Sequence, residues 1–161
     1  MTVIICNRQA MCADRQATFG GVPGEAVNGK IIRLSDGSLL GLAGYYAHRK
    51  KIIEMVEAFL AGEDLPEVTF TGHEASPFVL LRSDGRIFVG ETDFKGIEDI
   101  GQDVIAIGSG GDFALGAYLA GADLAQAVEI AIRCDVYCGG GVDYIDLDMD
   151  FGFRRDHKER A

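Results

Sequence analysis

The 161 residues suffice for one domain with a sizeable core. The 48% hydrophobic and 25% charged content is that of a globular chain, and a formal net charge of −10 argues against nucleic acid or an anionic membrane as the main partner. No apolar run approaches the roughly 18 residues of a membrane span, and none reads as a leader, so a cytoplasmic location is expected.

VIIC (3–6) is short, apolar and β-branched and predicts a strand; AMCAD (10–14) returns as its partner. A three-residue turn centred on Arg8 would set Thr2 opposite Asp14. GGVPGEAVNG (20–29) reads as a loop. KIIRL (30–34), Asp36-Gly37 and SLLGLAG (38–44) predict a hairpin, because a DG step between apolar runs is a strong turn signal. Ile52, Ile53, Val56, Phe59 and Leu60 recur at helical spacing within 45–60. PFVLLRS (77–83), Asp84-Gly85 and RIFVGE (86–91) form another hairpin. DVIAIGSGG (103–111) is a strand entering a glycine turn. Helices follow over 112–121 and from Asp123 to about Tyr137, the second capped by Asp123. Ile145, Leu147 and Met149 alternate with Asp146, Asp148 and Asp150, the pattern of a half-buried strand; calcium on those three carboxylates is the lesser reading. Residues 154–161 form a charged tail that frays, outside a single domain of 1–153. Hairpins grouped between helices indicate an α+β layered fold with antiparallel sheets. Cys6, Cys12, Cys134 and Cys138 read as free thiols.

A threonine hydroxyl is a weak nucleophile, but an N-terminal threonine carries its own base, an α-amine with a pKa near about 8. Thr2 would become such a residue once Met1 is removed, and a small residue at this position suits that removal. Lys30 and Asp14 sit at strand ends, where both can reach Thr2. Gly41 lies inside an apolar strand and would let a substrate backbone approach. Ser109, in GSGG, stands at a strand-to-helix turn. Each residue also has an ordinary explanation: a β-branched strand residue, a solvated lysine, a turn-side ion pair, a helix cap. The case rests on all of them in one order.

In that order the chain resembles the β-type proteasome subunits and the bacterial protease subunit HslV, which are N-terminal-nucleophile hydrolases. TVIIC…ADRQATFG is similar to the family's nucleophile strand and D-x-x-A-T strand end. KIIRL, SLLGLAG and DVIAIGSGGDFALGA resemble the segments with its lysine, oxyanion glycine and serine, and CDVYCGGGVDYIDL its D-x-x-S-G-G segment. The resemblance implies a four-layer αββα sandwich of two antiparallel sheets with a reduced helix layer. It implies a threonine endopeptidase with catalytic Thr2, Asp14, Lys30, Gly41, Ser109 and Asp135, and with Cys138 in place of the family's serine. Substrate would bind beside Ala17 and Thr18, with Asn28, Ile32, Leu39 and Ala43 lining an uncharged pocket for apolar residues. No cofactor is required; a sodium or magnesium ion would sit on the backbone carbonyls of Ile132, Asp135 and Cys138. The partners implied are a peptide or unfolded protein, further copies in a ring, and an HslU-like AAA+ unfoldase, the last weakened because only one helix separates Gly44 from PFVLL. Two alternatives stand beside the peptidase: a catalytically silent ring subunit that keeps Met1, and an amidase acting on a small molecule.

Overall fold

Strands β1 (Ile4–Asn7) and β2 (Ala10–Asp14) form the expected hairpin at the head of the chain. The computed structural model describes residues 2–26, 29–67, 69–70, 75–92 and 96–149, with the backbone of 153–155. Met1, Asn28 and Asp150 lie outside the described residues. Ile4 pairs with Ala13 and Cys6 with Met11, so Val3, not Thr2, faces Asp14. The cause is Asn7. Its side-chain oxygen accepts the N–H groups of Gln9 and Ala10, each at 2.9 Å, and closes a tighter turn than expected.

The expected loop of 20–29 holds the turn and second strand of another hairpin, β3 (Gln16–Phe19) and β4 (Val22–Glu25). Gly20 and Gly21 both have positive φ, 58° and 83°, as a two-residue primed turn requires. The Asp36-Gly37 hairpin joins β5 (Ile31–Arg33) to β6 (Leu39–Leu42). A single turn of 3-10 helix (Tyr46–His48) leads into α1 (Arg49–Ala61), which Gly62 ends in the left-handed conformation. The Asp84-Gly85 hairpin pairs β7 (Pro77–Leu81) with β8 (Ile87–Glu91), and an unanticipated β9 (Ile97–Asp99) adds to it. β10 (Val104–Ile107) leads through glycines into α2 (Gly111–Leu119); α3 (Leu124–Cys134) opens on a capping box between Asp123 and Gln126. β11 (Val142–Asp146) ends sooner than the alternation suggested. The Arg33 guanidinium donates to the carbonyls of Asp146, Leu147 and Met149, turning the chain there. Asp146 itself caps the turn through the Asp148 N–H at 2.9 Å, so these acids are not laid along one strand edge. Residues 154 and 155, expected at the start of a frayed tail, join 153 in β12 (Phe153–Arg155) against β11.

The strands build two five-stranded antiparallel sheets, ordered β10-β1-β2-β11-β12 and β5-β6-β7-β8-β9, with β3-β4 apart. Three apolar clusters hold them. Val3, Ile5, Ala10 and Cys12 meet Ala127, Val128 and Ala131 of α3. Ile4, Met11 and Ala13 of the first sheet meet Ile31, Leu39, Val79 and Leu81 of the second. Leu40, Phe78 and Leu80 meet Ile52, Met55 and Val56 of α1. Burying each large side chain contributes about 1.5–3 kcal/mol. No described helix is long and apolar enough to cross a membrane.

Gly41 belongs to the inter-sheet cluster. A Cβ there would stand 2.6 Å from Met11 Sδ and 2.9 Å from Ile4 Cγ2. Met11 can swing away, but the β-branched Ile4 between two sheets cannot. Gly41→Ala is therefore expected to lower stability by about 1–3 kcal/mol through overpacking. A urea titration checks this: the midpoint falls while the slope stays unchanged.

Candidate active site

The end of β2 delivers Asp14, which is wholly buried. All its contacts are donors. Oδ1 accepts the Val3 N–H at 2.9 Å, the Thr2 hydroxyl at 2.6 Å and Lys30 Nζ at 2.5 Å. Oδ2 accepts the N–H groups of Gly139 at 3.0 Å and Gln16 at 3.2 Å. The displaced register thus helps the site: with Val3 opposite Asp14, one carboxylate oxygen reaches both the Val3 amide and the Thr2 hydroxyl.

Lys30 stands at the mouth of β5, 7% exposed, and its Nζ also donates to Thr2 Oγ1. The hydroxyl is held between ammonium and carboxylate. Burial pulls the Lys30 pKa down; the charge of Asp14 and its hydrogen bond push it back up, and the net shift is downward. The neutral amine is correspondingly more accessible than in an exposed lysine.

The GSGG turn shapes the other side. The Thr2 nitrogen donates to Ser109 Oγ at 3.2 Å, and the Thr2 carbonyl accepts the Gly110 N–H at 3.1 Å. A Cβ on Gly108 would overlap that carbonyl, and one on Gly110 would stand 2.7 Å from Cys138 Sγ. Close approach therefore demands these glycines. Asp135 follows α3 and accepts the Tyr137 N–H at 2.9 Å and the Cys138 thiol. Burial opposes charge on Asp135, but these donors outweigh it and hold its pKa below the usual carboxylate value. The sign is that of stability present above the ordinary value of 3.8 and lost as pH falls through the lower folded value. Burial pushes the Cys138 pKa up to about 12, so it is a neutral thiol hydrogen-bonded to Asp135 at 3.3 Å.

Thr2, Asp14, Lys30, Ser109, Asp135 and Cys138 thus converge. Gly41 does not. Ala43 N–H donates to the Pro77 carbonyl, and the alternation of an antiparallel ladder then puts the Gly41 N–H on Val79. Its amide is used within the sheet and its Cα faces the inter-sheet core. The same run holds a second glycine, Gly44, just past β6. Leu42 N–H donates to the Lys30 carbonyl, so Gly44 continues from the strand end paired with Lys30. Among the described residues no acceptor meets the Gly44 N–H.

Ala17 is half-buried and Thr18 exposed on β3, an accessible edge. Leu39 is wholly buried between the sheets and lines no open pocket. Ala43 shares that face, whereas Ile32 packs on the α1 side. Leu42, 8% exposed, pairs with Lys30 and shares the face of Ile32.

The carbonyl of Asp135 accepts the Cys138 N–H at 3.1 Å. One of the three carbonyls named for a cation thus closes a turn. Among the described residues no group of three or more His, Cys, Asp or Glu side chains is placed to hold a metal ion.

Two packed antiparallel sheets, with a threonine, a lysine and an aspartate at one end, make this an α+β fold. Solved structures it is similar to include HslV from Trypanosoma brucei, with TM-score 0.69 and 20% identity over 89% of this chain and 98% of that one, and Thiobacillus denitrificans BPH. BPH matches alone with TM-score 0.62 and 20% identity, covering 92% and 99% of the two chains. Its complex with epoxomicin matches with TM-score 0.64 and 20% identity, covering 92% and 100%. No family model matches the sequence, and no curated protein matches it. The expected likeness to HslV is thus present in the fold.

Proposed function

We propose that the chain is a threonine endopeptidase of the proteasome β/HslV type, built as an αββα sandwich, with Thr2 as nucleophile once Met1 is removed. The carrying observation is the Thr2 hydroxyl held between Lys30 Nζ and Asp14 Oδ1 at a buried sheet end. Lys30 polarises the hydroxyl and, by like charge, lowers the pKa of the freed amine. Oγ1 attacks the peptide carbonyl and gives its proton to the amine. The Gly44 N–H, in place of Gly41, stabilises the oxyanion. The C–N bond breaks, the leaving amine takes the proton and an ester to Thr2 remains. Water then attacks the ester, releasing the acid and restoring the hydroxyl. Ser109 and Asp135 hold the amine.

Substrate runs along Ala17 and Thr18, and the apolar Ile32 and Leu42 beside Lys30 favour cleavage after apolar residues. The exposed apolar side chains Phe113, Leu119, Ile130 and Val136 support self-association into a ring. An HslU-like unfoldase remains the partner of this reading, although α1 is the one α-helix between β6 and β7 among the described residues.

The test is hydrolysis of an apolar fluorogenic peptide, run with N-terminal sequencing. We expect turnover by protein that begins at Thr2 and none by Thr2→Ala. Turnover that survives Thr2→Ala overturns the mechanism. Protein that keeps Met1 and is inert points to the silent ring subunit.

A further inference from the structure

Gly44 has φ 88°, and a Cβ there would stand 2.5 Å from Ser76 Oγ and 2.8 Å from Ser76 Cα. Ser76, at the entry to β7, is wholly buried. Its Oγ accepts the Tyr45 N–H at 3.0 Å and meets His48 Nδ1 at 2.8 Å. Its own N–H donates to Thr92 Oγ1 at 2.9 Å. His48 is 3% exposed and packs edge-on to Phe70, ring centres 5.1 Å apart. A buried hydroxyl hydrogen-bonded to a buried imidazole is expensive to leave unsatisfied, so both are built in for a reason. Neither belongs to the chemistry at Thr2. What they grip is the turn Ala43-Gly44-Tyr45: Ala43 N–H is fixed on Pro77, and Tyr45 N–H on Ser76. The peptide between those anchors carries the Gly44 N–H.

We infer that Ser76 and His48 are positioning residues that aim the Gly44 N–H at the oxyanion. The inference rests on the peptidase reading for its consequence, but not for the clamp itself. With the turn anchored at both neighbours, the Gly44 amide cannot rotate to find an acceptor of its own and stays presented. Because an oxyanion forms only in the transition state, loosening the turn lowers kcat and leaves KM nearly unchanged.

Two measurements on the full chain separate these points. Amide hydrogen exchange over 43–48 reads the clamp; kcat and KM on the apolar peptide read its consequence. In Ser76→Ala and His48→Leu the Tyr45 amide should exchange about fivefold faster or more, and kcat should fall about 10²-fold with KM within about threefold. His48→Asn, whose side chain offers a polar atom near the place of Nδ1, should restore both. Wild-type exchange at Tyr45 in Ser76→Ala overturns the clamp, and an unchanged kcat in an active protein overturns its catalytic consequence. Should Ser76→Ala fail to fold, the His48→Leu and His48→Asn pair decides by the same readings. A wild type without peptide turnover defeats the peptidase reading, while hydrogen exchange still decides the clamp.

Discussion

Lys30→Met will abolish measurable peptide turnover, a loss of about 10³–10⁴-fold or more, because the group that polarises the nucleophile is gone. It will also destabilise the protein. Asp14 is wholly buried and Lys30 is 7% exposed. Removing one charge of such a pair leaves the other without its compensating partner, at about 3–5 kcal/mol. Urea denaturation should show that Lys30→Met with Asp14→Asn is more stable than the two single losses added together. The pH dependence carries a sign. Lys30 is held below its ordinary pKa of 10.5, so the unfolded chain binds this proton more readily. Between the folded value and 10.5 the wild type therefore gains stability as pH rises, and that gain is missing from Lys30→Met. A variant with wild-type turnover would remove Lys30 from the chemistry.

Thr2, Asp14 and Lys30 were legible because all three lie at strand ends, where chain order and hairpin turns decide who meets whom. Ser109 and Asp135 were legible from the turns around them. The glycines were not. Gly41 and Gly44 both sit in SLLGLAG, and a missing side chain looks the same whether it admits a substrate or a neighbouring sheet. Only Ile4 and Met11 pressing on Gly41 separates the two. The burial of Leu39 was hidden for a related reason. A sheet buried on both faces shows no alternation, so nothing in the string put Leu39 between the sheets and Ile32 under α1. The β3–β4 hairpin was hidden by giving Gly and Pro the weight of a loop, although Gly20-Gly21 between Phe19 and Val22 is itself a hairpin signal. The first hairpin slipped because Asn7 bonds its own turn.

Gly108→Ala should damage stability and turnover together, and for a reason that Gly121→Ala does not share. Both glycines have positive φ, 90° and 108°. A side chain at either is strained, at about 1–3 kcal/mol. A Cβ on Gly121 meets nothing within 4 Å. One on Gly108 overlaps the Thr2 carbonyl oxygen and lies 2.8 Å from Thr2 Cγ2. The obstacle is backbone, pinned by the Gly110 N–H at 3.1 Å, so it cannot swing aside. Overpacking adds about 1–3 kcal/mol, and what must move is the nucleophile. A displacement of about 1 Å there is worth about 10²-fold in rate. Thermal unfolding should therefore show both variants weakened, Gly108→Ala more, and kcat per folded molecule should fall only in Gly108→Ala. Equal kcat in the two would mean that the position of Thr2 does not govern the reaction, and the nucleophile would have to be sought elsewhere.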